Sequence, residues 1–416
     1  MALLGTPAAS ELQRYLAKNG RFPPVTLQVL PIDGSRQPVE FNRFSSYSFV
    51  TSVIVPVDSF QFTMRNPTLE GSLLNFVRDG DIAVLKANGQ VVCTGIVDTV
   101  NVKTGPDVGE EVVVQGRNLL SQLEDQSTVN DVDDPIWGNR MGFDAVINAL
   151  IMNTRINFYR TQQAPTLPSL PLFATEPGES KLSALMRYLE PLNCLVWSDA
   201  DGTAVLGRPD MGGDVLGSFM MDRENRAANC LSIQANYSST RIPNIVLPIW
   251  TGQETVQSRV TKEQAVPNNA KGPKRLLSQG HRVTKCVVVS NPQGSDPQAL
   301  SQTNQLVLSG GSNVLQAYAK RELARANVGE LGVQVNIKGH YNSDLDPIMP
   351  DTNYQIVYPR ASVNEDMYLH TVEYGMEEKE GQRTSLFFCK KGAIVADVSV
   401  QSKKSASTKS LASGAT

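Results

Sequence analysis

The side chains of this sequence that could do chemistry are few, and each group lacks a partner that its chemistry needs. Asp131, Asp133 and Asp134 cluster as glycosidase carboxylates would, but their spacing sets no acid and second carboxylate on opposite sides of a sugar. They read as an acidic linker. Asp199 and Asp201 before Gly202 open like a calcium loop, yet the remaining oxygen ligands and the distal bidentate glutamate are missing, which leaves a solvated turn. His281 beside Arg282 has no histidine, cysteine or carboxylate set for a metal. His370 falls inside an apolar alternation, as a packed or rim residue would. Lys271, Lys274, Arg275, His281, Arg282 and Lys285 gather positive charge without interleaved aromatics that stack on bases, and read as a solvated loop or subunit contact. The five cysteines, Cys93, Cys194, Cys230, Cys286 and Cys389, are odd in number and widely spaced. That is the pattern of reduced, mostly buried thiols from cytosolic assembly, not of a disulfide or metal scaffold. The sequence assigns no catalytic, cofactor-binding or metal residue, and no cofactor is expected.

Composition bounds the elements that carry these residues. A chain of 416 residues with 41% hydrophobic content divides into two to four domains, each able to bury a core. The 38 basic side chains nearly cancel the 41 acidic ones, which argues against a protein that wraps a phosphate backbone. No run approaches the roughly 20 apolar residues of a membrane-crossing helix, and charges at Asp33, Arg36, Glu40 and Arg43 interrupt any leader.

The stretch from Asp81 to Asp125 organises the rest. Ile82 and Val84 alternate with their neighbours, Asn88-Gly89 supplies a tight turn, and Val91, Cys93, Gly95 and Val97 continue the alternation into an antiparallel hairpin. A third strand from Glu111 to Val114 passes through Gly116 and Arg117 to a short helix with Leu119, Leu120 and Leu123. Upstream, within an N-terminal arm (1–24), a short helix is expected from Ser10 to Lys18, before Gly20 and the Pro23-Pro24 stop. Strands follow from Val25, Leu27 and Val29 and from the stripe Phe60, Phe62 and Met64, which reads as core. Residues 25–128 thus form a first tube-like antiparallel β-barrel domain.

Residues 129–208 read as a small α+β domain. It has helical stripes at Phe143, Val146, Ile147 and Leu150 and at Leu182, Leu185, Met186 and Leu189, a Pro-rich crossing near Pro165, Pro168 and Pro171, and a hairpin around Gly202. Residues 209–300 begin a second barrel and carry a polar insertion or peripheral domain. Residues 301–397 supply a helix over 313–327 and the remaining strands, with Val333, Val335 and Ile337 on one strand and Tyr368, His370, Val372 and Tyr374 sharing a face of another. A polar tail (398–416) is expected to be mobile. The fold class is mainly β with α+β parts, built on two related barrels. Gly80-Asp81 and the strands after it match Pro350-Asp351 and the strands after it, which suggests a duplication.

Gly80-Asp81, the Gly89 turn, Gly95-Ile96-Val97-Asp98 and Val113-Val114-Gln115-Gly116-Arg117 leading to Leu123 and Asp125 resemble the baseplate hub proteins of contractile phage tails, the late control protein D-like family. The resemblance implies a structural, non-enzymatic homotrimer. Its six tube-like units would surround a central channel and join the sixfold tail tube, or a tube-initiator protein, to the threefold central spike. Other baseplate proteins would be further partners, DNA would pass without specific binding, and no membrane insertion is implied. The protein would be assembled in the host cytoplasm and reside in the virion baseplate. Two other classes remain open on sequence: a cell-wall-degrading glycosidase of the tail, and a carbohydrate-binding module with an exposed aromatic platform.

Overall fold

The computed structural model describes residues 10–34, 36–65, 77–105, 109–128, 137–139, 143–152, 154–161, 172–174, 178–189, 194–222, 228–237, 245–250, 260–261, 284–289, 331–391 and 394. The acidic linker 131–134, the Pro-rich crossing, the basic cluster apart from Lys285, the helix expected over 313–327 and the polar tail lie outside these residues.

The chain opens with α1 (Glu11–Asn19). Ser10 and Gln13 form a reciprocal capping box at its start, and Gly20 closes it at φ 66°, where a left-handed residue is needed. Seven strands follow: β1 (Val25–Leu30), β2 (Val39–Phe41), β3 (Ser46–Ser52), β4 (Ser59–Arg65), β5 (Ile82–Ala87), β6 (Gln90–Gly105) and β7 (Gly109–Asn118), then α2 (Ser121–Asp125). The middle segment comprises β8 (Trp137–Asn139), α3 (Phe143–Ile151), β9 (Phe158–Arg160), β10 (Leu172–Ala174), α4 (Lys181–Leu189), β11 (Leu195–Ser198) and β12 (Ala204–Gly207). The last part carries β13 (Val215–Met220), β14 (Ser232–Tyr237), β15 (Ile245–Trp250), β16 (Val260–Thr261), β17 (Thr284–Val289), β18 (Leu331–Lys338), β19 (Thr352–Tyr358), β20 (Val363–Glu377) and β21 (Gly381–Lys390).

The strands do not form two barrels. The expectation of two tube-like β-barrels is corrected by the pairing: 13 strands form one open sheet in the order β14-β18-β21-β20-β3-β4-β7-β6-β5-β1-β2, with β19 and β13 branching from β20. Among the described residues no sheet closes on itself. The physical reason lies in β20, which is long enough to have two partners along one edge. Its first half pairs with β19 and its second half with β3, so the edge hydrogen bonds that could close either unit join the two units instead. Most pairs are antiparallel, but β13 runs parallel to β19, β9 to β12 and β15 to β17, so the sheets are mixed.

One hydrophobic core lies along this sheet and takes residues from both units, including Leu27, Phe49, Phe62, Val114, Val335, Tyr374 and Leu386. A second core joins α2, α3, α4 and the β11–β12 hairpin through Leu120, Leu123, Ile147, Leu150, Leu185 and Leu206. The apolar spacing of the two middle helices produces this packing, although Met186 stands 42% exposed.

Three strand faces differ from the simple alternation. In β5 the buried side chains are Ala83, Leu85 and Ala87 rather than Ile82 and Val84. Val84 is opposite Thr94, whose hydroxyl donates to the Ala200 carbonyl in the turn of the middle hairpin, so the outer face of this hairpin is also covered. In β6 a register shift after Leu85↔Cys93 leaves Val91 exposed and buries Val92. In β20 a bulge at His370 changes the phase: Met367 and Leu369 before it and Val372 and Tyr374 after it share the main core, whereas Tyr368 packs elsewhere with Cys389 and Ile394.

Candidate functional site

Among the described residues, the fold does not gather the chemistry-bearing side chains singled out in the sequence, Asp199, Asp201 and His370, into one site. Asp199 and Asp201 each accept from a backbone amide of their own hairpin turn, those of Ala200 and Thr203, as turn-forming aspartates do. Among the described residues no three or more histidine, cysteine or acidic side chains could share a metal ion. His370 is the extra residue of the β20 bulge, hydrogen bonded through Nδ1 to Thr371 Oγ1 at 2.8 Å. Burial lowers its pKa to about 4. Phe60 and Phe62 are buried and offer no aromatic platform.

The fold instead builds a seam between its two units. β3 pairs with β20 from Ser46↔Glu377 to Ser52↔Thr371. Phe49 and Tyr374 stack at 4.3 Å between centroids, and Ser52 and Thr371 join their hydroxyls at 2.7 Å. Beside them lies His340, a residue the sequence did not single out. Its Nε2 is 2.7 Å from Tyr47 Oη on β3 and its Nδ1 2.7 Å from Thr384 Oγ1 on β21, so it bridges the two units. Because the Thr384 hydroxyl donates to the Gly339 carbonyl, it accepts from Nδ1–H, and the Tyr47 hydroxyl donates to Nε2. This network needs a neutral imidazole, and burial lowers the His340 pKa to about 3.

The motif that dominated the sequence occupies the first unit's wall. Gly95 and Gly116 leave space for the Phe60 ring: a Cβ on Gly116 would lie 2.0 Å from the Ile96 carbonyl oxygen and 2.4 Å from Phe60. Asp98, the bulged residue of β6, receives two hydrogen bonds from Arg117, which also binds Asp125 and Glu124 of α2. Asp81 is fully buried and accepts from Arg36, at 2.6 Å, and from the amides of Arg78 and Ile32. These residues clamp strand ends, loops and α2. Asp58, also missed in the sequence, accepts from Asn118 Nδ2 at 3.2 Å, and desolvation raises its pKa to about 8.

The two units are built to one plan. In each, a short strand leads into a long one that first pairs with it, passes a bulge (Asp98 or His370) and then forms seven pairs with the next strand. Those pairs run from Thr99↔Gln115 to Gly105↔Gly109 and from Thr371↔Phe387 to Glu377↔Gly381. Gly109 and Gly381 adopt left-handed backbones at 69° and 73°. The match also corrects the sequence alignment by one residue. Gly80 N–H donates to Val97 O and Asp351 N–H to Leu369 O, both from positive φ, so Gly80 corresponds to Asp351. Outward from the long strand, β7 and β21 pair with β4 and β18, which pair with β3 and β14. Side-chain volume is exchanged across the repeat: Phe60 faces Gly116 in one unit, and Val333 faces Phe388 in the other.

No protein-family model and no curated protein matches the chain. Solved structures do. A tail protein from Neisseria meningitidis superposes with a TM-score of 0.66 at 18% identity, covering 89% of this chain and 99% of that one. The 43 kDa tail protein of prophage MuSo2 from Shewanella oneidensis gives 0.66 at 14%, with the same coverage of 89% and 99%.

The chain has the fold of phage tail proteins.

A component of the E. coli type VI secretion system, described as structurally similar to the T4 tail proteins gp27 and gp5, matches this tail-protein fold at a TM-score of 0.50. Its identity is 9%, over 88% of this chain and 76% of that one. The wall motif and the seam therefore belong to a tail-protein scaffold.

Proposed function

We propose that this chain is a structural, non-enzymatic subunit of a phage tail baseplate hub. Three copies would form a collar of six similar wall units around a channel and join the sixfold tail tube to the threefold spike. The observation that carries the reading is the duplication in one continuous sheet, because two equivalent units per chain let a threefold ring present approximate sixfold symmetry. The tail-protein fold supports the location, and the likeness to a secretion component related to gp27 and gp5 supports a place at the tube–spike junction. The tube or its initiator, the spike and neighbouring baseplate proteins would be the partners. Passing DNA would meet no specific site. Assembly would take place in the host cytoplasm and the product would reside in the virion.

Light scattering on the purified full chain tests the reading through its native mass. Three chains per particle are expected; a chain that stays monomeric through the concentration range, with and without tail tube protein, would overturn it.

A further inference from the structure

Thr51, Asp58 and Asn118 are polar, yet only 5%, 4% and 1% exposed. Continuing the Phe49↔Phe60 register places Thr51 of β3 opposite Asp58, and continuing Ser59↔Arg117 places Asp58 opposite Asn118 of β7. The Asn118 backbone N–H donates to the Asp58 carbonyl at 3.0 Å, as that register requires. Each residue extends a core-facing row, set by Tyr47 and Phe49, by Phe60 and Phe62, and by Val112 and Val114. The three therefore lie side by side on the inner face of adjacent strands. The Asn118 amide is fixed in orientation, since Nδ2 donates to the Pro56 carbonyl at 2.9 Å and to Asp58 Oδ2 at 3.2 Å. Among the described residues, Thr51 Oγ1, Asp58 Oδ1 and Asn118 Oδ1 are left buried without a hydrogen-bond partner.

We propose that these three oxygens share one monovalent hard cation of the sodium class. The carboxylate and amide oxygens only accept, and the Thr51 hydroxyl supplies the single hydrogen of the set. A proton on Asp58 would serve one of the other oxygens at most, whereas a hard cation coordinates hydroxyl, amide and carboxylate oxygens together. Charge selects the valence. Asp58 is the one carboxylate of the row, and Cys93, which interacts with it from β6, stays a neutral thiol because burial pushes its pKa up. One positive charge balances the site, and a divalent ion would leave an uncompensated charge in the core. Proton and cation compete for Asp58, so binding is fullest above about pH 8, where the carboxyl gives up its proton. The bound ion would tie β3, which carries the seam, to β4 and to the end of β7, where the chain turns into α2.

The test is urea unfolding of the purified full chain above pH 8, in sodium chloride and in tetramethylammonium chloride of equal ionic strength. A ligand that binds only the folded state raises the unfolding midpoint as its concentration rises. The midpoint should therefore climb with sodium and stay level with the bulky tetramethylammonium ion. Asp58→Asn, which keeps the shape of the side chain and removes its charge, should abolish the sodium dependence. Thr51→Val, which leaves the carboxylate in place, should weaken sodium binding by about tenfold or more, and keeps the test open if the Asp58 variant fails to fold. A parent midpoint that is the same in both salts overturns the site. So does a sodium effect of equal size in Asp58→Asn, which would be a general salt effect, or an unaltered sodium response in Thr51→Val. Calcium that displaces sodium at far lower concentration would overturn the monovalent assignment.

Discussion

Gly116 and His340 show how single residues fix the wall. A methyl group at Gly116 would have to displace both the Ile96 backbone and the Phe60 ring, and neither can yield without moving its strand. Gly116→Ala should therefore cost about 2–3 kcal/mol, in the upper part of the overpacking range, read as a lower urea midpoint at unchanged slope. His340 is held neutral between Tyr47 and Thr384. Its folded pKa, about 3, lies below the ordinary 6.5, so its contribution to stability is complete above pH 6.5 and is lost as acid protonates the unfolded chain first. The loss should reach about 1.4 kcal/mol per pH unit below 6.5 and end near the folded value. Its imidazole NMR resonances should stay at neutral positions down to pH 5; a midpoint near 6.5 would contradict the network. Asp58 acts with the opposite sign, since its raised pKa, about 8, makes stability fall as pH rises from the ordinary carboxylate range. Tyr47→Phe would strand the His340 Nε2 acceptor in the core, at a cost of about 1–3 kcal/mol in the same urea assay.

Elements explain what was legible in the sequence and what was not. Ser10 and Gly20 marked α1 because capping chemistry is local, and Asn88-Gly89 marked a hairpin because both residues take positive φ, 51° and 79°. Val333, Val335 and Ile337 alternate without interruption and are buried on one face. The bulges at Asp98 and His370 left no comparable signal, since one extra residue reverses the faces of a strand without changing its composition. Two His370 changes separate phase from chemistry. His370→Ala should leave the fold intact with a loss of about 1 kcal/mol. Deleting His370 should turn Val372 and Tyr374 away from the core and abolish cooperative unfolding in a thermal melt. A deletion variant that melts like the parent would refute the assigned role of the bulge.

For the whole molecule, the duplication was readable as strand order but the joining of its halves was not. Pairing of Phe49 with Tyr374 spans most of the chain, and no local pattern specifies which distant edge a strand will take. Closure into separate barrels was the simpler expectation, and the shared β20 replaced it with an open, continuous wall. The same arrangement gives the wall motif its meaning: Gly95, Gly116 and Asp98 with Arg117 shape and clamp a structural surface, and the middle segment packs beside it through α2. An unsymmetrised single-particle reconstruction of the assembled protein tests the central claim most directly. The account predicts a ring of three chains with six similar wall units repeating around a common axis. An assembly whose chains each contribute one wall unit, or whose two units do not repeat around a common axis, would contradict it.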